Sequence, residues 1–222
     1  MSGERGAALK KLREDVCRIN RMLPAAGLVT MHSGNASGFD PDSGLVIIKP
    51  SGVDYDTLKP EMLVCVDLAG TIVEGKLSPS VDLPHHLFLY RHLPGIRGVV
   101  HTHSNYATAL ALTGKAIPCC LTAIADEFGG EIPCAPYADN EGENIGQAIL
   151  AHRTKRSPAI LLAHHGVFAW GPTPQVALKA AVMVEDVAKT VHLAMQLGPI
   201  DSLPMGEIEK WYGRYQNRYG QR

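Results

Sequence analysis

The chain has 222 residues, a length that suits one domain with a substantial core and is short for two. Its 21 basic and 22 acidic residues give a formal net charge of -1, and no basic block occurs, which argues against a nucleic-acid-binding protein. The five cysteines form no CxxC pair, no signal peptide is recognisable, and no apolar run reaches the roughly 18 residues of a membrane span. These features predict a cytoplasmic protein with reduced thiols and no membrane association.

The first third of the chain alternates helix and strand patterns. Apolar residues at helical spacing predict a helix from Ala7 to Met22, ended by Pro24. A short buried strand is predicted over Leu45–Ile48, where four apolar residues precede a Pro-Ser-Gly turn. The segments Met62–Val66 and Thr71–Glu74 are predicted to form a hairpin.

The remainder of the chain continues the same alternation. Five helices are predicted, over Pro84–Leu93, Asn105–Leu112, Asn144–His152, Pro174–Met195 and Met205–Tyr219. Three strands are predicted, over Ile96–His103, Pro158–Ala163 and Val167–Trp170. The Gly/Pro-rich stretch between Leu112 and Asn144 carries no predicted element. Without a repeat, a linker or a low-complexity tract, the pattern indicates one mixed α/β domain.

Three histidines follow two of the predicted strands. His101 and His103 stand two residues apart at the end of an apolar run, so they share one face of a strand. The pair His164-His165 follows another apolar run and precedes a glycine. A lone histidine on an apolar element is more often structural, but three imidazoles at strand ends predict a catalytic metal site with one open position.

Three small polar turns accompany the histidines, at Ser33-Gly34-Asn35, at Ser51-Gly52 and at Ser80. Glycine lets the backbone approach a ligand closely, and successive N–H groups form an anion nest. Each turn alone is most simply an ordinary turn or cap, but the three together beside a metal site indicate a phosphorylated substrate. Asp82 either caps the following helix or serves as an oxygen ligand, and the residues leave both alternatives open.

The motifs together resemble those of the class II aldolase/adducin superfamily, from about residue 8 onward. The similarity rests on motifs that occur in the family's order: Gly34-Asn35, Ile48-Lys49-Pro50-Ser51-Gly52-Val53, Pro79-Ser80-Val81-Asp82, Gly98 to Ser104, His165-Gly166 and Tyr219-Gly220-Gln221. The Lys-Pro-Ser-Gly run and the terminal Tyr-Gly-Gln are similar to those of its L-ribulose-5-phosphate 4-epimerase branch. This resemblance implies a single α/β domain over residues 1–222, with a central, mostly antiparallel sheet flanked by helices.

The resemblance also implies roles for individual residues. The implied ligands of Zn²⁺, or of another divalent ion such as Mn²⁺ or Co²⁺, are Asp82, His101, His103 and His165. The implied contacts to the substrate phosphate are Gly34, Asn35, Ser51, Gly52, Ser80 and Val81. The implied acid–base pair is Asp126 and Tyr219, with Tyr219 supplied by the adjacent subunit of a homotetramer that shares its active sites. His164 is expected to be structural.

Two positions depart from the family pattern. Val81 stands where the family usually has a second serine, so one hydroxyl is lost while the backbone N–H remains. The polar neighbours that usually precede Asp126 appear here as Thr122-Ala123-Ile124-Ala125. These departures affect the identity of the sugar more than the chemistry.

The reaction that the resemblance implies is conversion of L-ribulose 5-phosphate to D-xylulose 5-phosphate, as in arabinose catabolism. The stereocentre carries no acidic proton, so its inversion requires cleavage and re-formation of the C3–C4 bond. A metal ion acting as Lewis acid would stabilise the charge left by cleavage, and two groups on opposite faces would exchange protons.

Several alternatives share this fold. A class II aldolase of the L-fuculose-phosphate type uses a glutamate at the position of Asp82, whose shorter side chain favours the epimerase. Decarboxylases and dehydratases of related sugar phosphates are further options. An adducin-like binding domain lacks the histidines that are all present here. A hydrolytic zinc enzyme would need an acidic group beside His103, where Ser104-Asn105-Tyr106 stands instead.

Overall fold

The structure is a computed structural model that describes residues 3–220. Within these residues the helices are α1 (Gly3–Ala25), α2 (Leu83–His92), α3 (Asn105–Ala111), α4 (Thr122–Phe128), α5 (Asn144–His152), α6 (Pro174–Met195) and α7 (Met205–Arg218). The strands are β1 (Asn35–Asp40), β2 (Leu45–Ile48), β3 (Val64–Asp67), β4 (Ile72–Glu74), β5 (Gly98–Thr102), β6 (Cys134–Ala135), β7 (Ala159–Leu162) and β8 (Gly166–Gly171). A single 3₁₀ turn covers Pro60–Met62.

The eight strands form one sheet in the order β4-β3-β2-β1-β5-β8-β7-β6. Every neighbouring pair is antiparallel except β6 and β7, which are parallel. This architecture confirms the predicted α/β fold with a central, mostly antiparallel sheet flanked by helices.

Alternate residues of the central strand β5 face the two helical layers. Val100 belongs to the core cluster that contains the buried side of α6, whereas Val99 belongs to the cluster formed with α2 and α5. Since side chains alternate along a strand, His101 projects to the same face as Val99. Its ring stacks on Phe168 of β8, with the two centroids 4.3 Å apart. The central strands therefore place His101 at one end of the sheet, on the face that packs against α2.

Helix α6 has the bounds that the sequence predicted. The Thr173 hydroxyl accepts a hydrogen bond from the N–H of Val176, and Pro174 occupies the first turn, where its missing N–H costs nothing. Small and β-branched residues form its buried face, namely Ala177, Ala180, Ala181, Val184, Val187, Ala188 and Val191. These short side chains allow the helix to pack closely across β5 and β8.

Four sequence predictions about elements need correction. Helix α1 extends to Ala25 and contains Pro24, so the proline does not end it. The turn predicted at Ser33-Gly34-Asn35 leads directly into β1, which begins at Asn35. The stretch between Leu112 and Asn144, predicted to lack elements, contains α4 and β6. The strand β5 ends at Thr102, so His103 lies just beyond it.

None of the helices within residues 3–220 combines the length and the apolar character needed to cross a bilayer.

Candidate active site

Three imidazoles meet at one end of the central strands. The ligand nitrogens of His101, His103 and His165 all lie within 4.8 Å of one another. His101 is buried, His165 is partly exposed and His103 is exposed. A group of this kind can hold a divalent metal ion and leaves one side of the ion open to solvent.

The hydrogen bond of His101 defines which of its nitrogens can bind a metal. Its Nδ1 lies 2.9 Å from the carbonyl oxygen of Val167, and since a carbonyl only accepts, Nδ1 carries the proton. Nε2 is then unprotonated, and it lies 2.9 Å from Nε2 of His103. Burial lowers the pKa of His101 to about 3, and it also lowers the pKa values of His103 and His165. All three side chains are therefore neutral at pH 7, the state that a metal requires.

Backbone features at this end of the sheet bring the histidines together. A Cβ on Gly166 would lie 2.4 Å from the carbonyl oxygen of Thr102, so only glycine lets β8 start this close to β5. Gly34 has φ +74°, and a Cβ there would lie 2.7 Å from the carbonyl oxygen of His101. His164 has φ +60°, a left-handed conformation that is uncommon outside glycine and turns the chain between β7 and β8. His164 therefore lies in the turn that directly precedes His165.

Asp82 lies buried on the wall of the same pocket, directly before α2. It occupies the N-cap position, but its side chain makes no capping hydrogen bond. Its Oδ2 instead accepts hydrogen bonds from Asn35 Nδ2 at 2.6 Å and from Ser80 Oγ at 3.4 Å. Burial alone would raise the pKa of Asp82, but the Asn35 hydrogen bond opposes this effect and the pKa is lowered overall, so the carboxylate is ionised. Of the two alternatives left open by the sequence, the helix cap is not formed.

The pocket in front of the histidines has a volume of about 180 Å³. All six residues predicted to contact a phosphate line it: Gly34, Asn35, Ser51, Gly52, Ser80 and Val81. Backbone hydrogen bonds join the turn at Ser51 to the turn at Ser80. The N–H of Ser51 donates to the carbonyl of Ser78 and the N–H of Ser80 donates to the carbonyl of Lys49, both at 3.0 Å. The structure therefore places the predicted polar turns and the three histidines around one cavity.

Three residues with polar side chains to which the sequence analysis gave no role also line this pocket, namely His32, Lys49 and Asn140. Lys49 is only 2% exposed, and its ammonium group lies 3.3 Å from the carbonyl oxygen of Pro50 and 4.7 Å from the centre of the Tyr55 ring. Burial lowers its pKa. Lysine is seldom fully buried, so its position directly after the buried strand β2 was the available signal.

A buried polar network lies behind the pocket on α2. Nε2 of His85 lies 2.5 Å from Oδ1 of Asn140, while Nδ1 of His86 lies 2.7 Å from the hydroxyl of Ser37. The Ser37 hydroxyl is also 2.7 Å from the phenol oxygen of Tyr90. Burial lowers the pKa of His86 to about 4, so this ring is neutral at pH 7.

Asp126 and Tyr219 do not line the pocket of their own chain. Asp126 lies on α4, where its backbone carbonyl accepts a hydrogen bond from Gln216 of α7 at 3.4 Å. Burial raises the pKa of Asp126, although Arg214 opposes this shift. Tyr219 follows α7, is 63% exposed, and stacks on Tyr215 with the two ring centroids 4.7 Å apart. The structure thus places both residues beside α7 and apart from the histidines of the same chain.

The sequence model of the class II aldolase and adducin N-terminal domain family matches residues 14–192. The chain therefore belongs to this family. It is a class II aldolase-type enzyme, and its group of His101, His103 and His165 could bind a metal ion.

Solved structures with the same fold cover most of the chain. An L-fuculose 1-phosphate aldolase is 30% identical with a TM-score of 0.84, and the match covers 93% of this chain and 96% of that one. YgbL of Escherichia coli, provisionally assigned as an aldolase/epimerase/decarboxylase, is 30% identical with a TM-score of 0.78, covering 92% and 99%. The L-fuculose-1-phosphate aldolase of Thermus thermophilus is 28% identical with a TM-score of 0.68, covering 85% and 98%.

Proposed function

We propose that this protein breaks and re-forms a carbon–carbon bond of a sugar phosphate at a divalent metal ion, and that it acts as a pentulose-phosphate epimerase. The expected ion is zinc, with Mn²⁺ or Co²⁺ as alternatives, held by His101, His103 and His165, with Asp82 as a further acidic ligand. The supporting observation is that three neutral imidazoles share one cavity with two serine- and glycine-containing turns.

The turns would hold the phosphate of the substrate. Ser51 and Gly52 are exposed at the mouth of the cavity, so their hydroxyl and N–H groups are available to a ligand. The buried ammonium group of Lys49 adds positive charge beside them. A phosphate anchored here would leave the carbon chain of the substrate lying toward the histidines.

A bound divalent ion would supply Lewis-acid stabilisation of the negative charge that develops when the bond next to a carbonyl group breaks. Asp82 is held as an ionised acceptor by Asn35 and Ser80, so it does not act as the proton donor. The anchored phosphate keeps the aldehyde fragment in the cavity, where rotation presents its other face before the bond re-forms. These three steps, cleavage, rotation and re-formation of the bond, yield the epimer of the substrate.

Proton exchange on both faces of the reacting carbon requires two further groups. We assign these roles to Asp126 and Tyr219, which lie away from the histidines of their own chain and near α7. A second copy of the chain must then bring them to the cavity. We therefore propose a homotetramer with shared active sites, in which residues 1–222 form one class II aldolase/adducin-like domain and the enzyme works in the cytoplasm.

A second candidate is an aldolase of the L-fuculose-phosphate type, favoured by the 30% identity to an L-fuculose 1-phosphate aldolase. A related decarboxylase is the option to which the YgbL similarity points. The aldolase would release the aldehyde fragment and protonate the remaining carbon. Asp82 favours the epimerase over this aldolase. Its side chain is one methylene shorter than the glutamate of the aldolase, and its carboxylate is already held by two hydrogen bonds.

Incubation of the metal-loaded protein with two substrates would separate these candidates. With L-ribulose 5-phosphate we expect D-xylulose 5-phosphate to form without release of a free aldehyde. With L-fuculose 1-phosphate we expect little cleavage. Fast release of lactaldehyde from the second substrate, with no epimer from the first, would replace the epimerase by the aldolase.

A further inference from the structure

A second cavity, with a volume of about 400 Å³, lies at the opposite end of the central strands from the histidines. Strand β5 runs from Gly98 toward His103, and the second cavity is lined by Ile96, which precedes this strand, and by Gly171 at the end of β8. Five residues of a strand span roughly 17 Å. The two cavities share no lining residue, so the second one is a separate site.

The second cavity carries four positive side chains, two of which already have partners. Arg156 forms a two-pronged ion pair with Glu209, at 2.7 and 3.0 Å. Lys179 pairs with Glu127 at 2.6 Å. These two cations are therefore neutralised by the fold itself.

The other two cations, Arg153 and Lys155, form no ion pair among the described side chains of residues 6–220. Nε of Arg153 is buried and has no hydrogen-bond acceptor among the described residues. A guanidinium group is always charged, and a buried donor without an acceptor is unfavourable. Because the two nearby carboxylates, Glu127 and Glu209, already have partners, the charge of Arg153 is available to an anion that enters the cavity.

We propose that this cavity is a second anion site, which binds the phosphate group of a small organophosphate through Arg153 and Lys155. The planar guanidinium group suits the oxygens of a phosphate, and the lysine adds a mobile point charge at the exposed rim. The volume of about 400 Å³ accommodates the carbon part of a small metabolite as well as its phosphate. The aromatic rings of Tyr212 and Tyr215 are covered by Arg156 and Lys179, so the cavity favours polar ligands over flat apolar ones.

Inorganic phosphate is a suitable probe, measured by isothermal titration calorimetry on the metal-loaded protein. The background for the test is Ser51→Ala with Ser80→Ala, which weakens binding at the proposed catalytic pocket and leaves the second cavity intact. In this background we expect phosphate binding to persist. Adding Arg153→Leu or Lys155→Ala should then weaken it by roughly tenfold or more, the expected effect of losing one charge-assisted hydrogen bond.

Lys76→Ala provides the control, since it removes an exposed positive charge outside both cavities. Lys155 is also exposed, so its replacement does not disturb the core and the test remains valid if Arg153→Leu fails to fold. Unchanged affinity in Lys155→Ala would overturn the proposal, and so would an equal loss in Lys76→Ala. Absence of phosphate binding in the Ser51→Ala, Ser80→Ala background would overturn it without affecting the proposed reaction.

Discussion

The Nε2 atoms of His101 and His103 face each other at a distance of 2.9 Å. Because Nδ1 of His101 donates to the carbonyl of Val167, its Nε2 offers a lone pair toward His103. Burial disfavours a shared positive charge on this pair, since it lowers the pKa of both rings. A divalent cation that accepts both lone pairs would satisfy the two rings at once, and His165 lies in position to join them.

The first prediction concerns metal binding. His103→Ala should lower the metal content of the purified protein and abolish activity, because it removes one of three imidazole ligands. His103 is exposed, so the fold should survive the change. Elemental analysis and circular dichroism on the same sample would report both properties.

His152 gives the matched control for this prediction. It is an exposed histidine at the end of α5, and its Nδ1 lies 3.0 Å from the carbonyl oxygen of Ala148. His152→Ala should therefore keep full metal content. Full occupancy in His103→Ala as well would mean that the ion does not bind at these histidines.

The second prediction concerns stability at acidic pH. His86 is neutral in the folded protein down to about pH 4, whereas an exposed histidine titrates near 6.5. Between these values the unfolded chain binds more protons, so the free energy of unfolding falls as the pH drops from 6.5 to 4. The expected loss from this residue is about 3 kcal/mol.

Comparison with His86→Gln isolates this contribution. The amide can still hydrogen-bond Ser37 but does not titrate. Urea unfolding of both proteins at pH 7 and pH 4.5 should show that the wild-type protein loses more stability than the variant over this interval. Parallel losses in the two proteins would mean that other groups control the acid sensitivity.

The third prediction concerns phosphate recognition. Ser51→Ala should raise KM for the sugar phosphate by roughly tenfold, the effect of losing one hydrogen bond to a charged group. We expect kcat to change little, because in the proposed binding mode Ser51 contacts the phosphate and not the reacting bond. Ser78→Ala, a neighbouring hydroxyl outside the pocket, is the control. Equal KM values for Ser51→Ala and the wild-type protein would remove this turn from the phosphate site.

The elements that the sequence predicted best are those with strong periodic patterns. Helices α5 and α6 have their predicted bounds, because clear amphipathic spacing extends across each of them. Strand β1 was missed because Asn-Ala-Ser-Gly-Phe-Asp contains few residues typical of strands. It is a strand because it is paired on both sides, with Asn35 opposite His101 and Ser37 opposite Ile48. Such pairing depends on distant segments and is not visible in a local pattern.

The candidate site likewise contains residues that a local pattern predicts and residues that it does not predict. His101, His103 and His165 were predictable as candidates because each stands at the end of an apolar run, a local pattern, whereas their convergence depends on the pairing of β5 with β8. Asn140 was missed because a loop after β6 brings it to the pocket, where its Oδ1 lies 2.5 Å from Nε2 of His85. Loop positions of this kind depend on tertiary contacts, which no local spacing encodes.

The last prediction concerns the shared active site. If Tyr219 serves the metal site of a neighbouring subunit, Tyr219→Phe should reduce epimerisation by about 10²-fold or more, with metal content unchanged. Mixing this variant with His103→Ala should restore activity, since subunit exchange pairs intact histidines on one chain with an intact tyrosine on the next. In a random equal mixture, about a quarter of the interfaces would combine both wild-type groups.

Asp126→Asn extends this experiment. Asp126 and Tyr219 lie beside the same helix α7, so one neighbour should supply both. Asp126→Asn should therefore regain activity when mixed with His103→Ala, but not when mixed with Tyr219→Phe. If subunits exchange, as shown by mass spectrometry of the mixed oligomers, and His103→Ala restores neither partner, then each site is built from a single chain. Tyr219 would then be a surface residue that stacks on Tyr215 and takes no part in proton exchange.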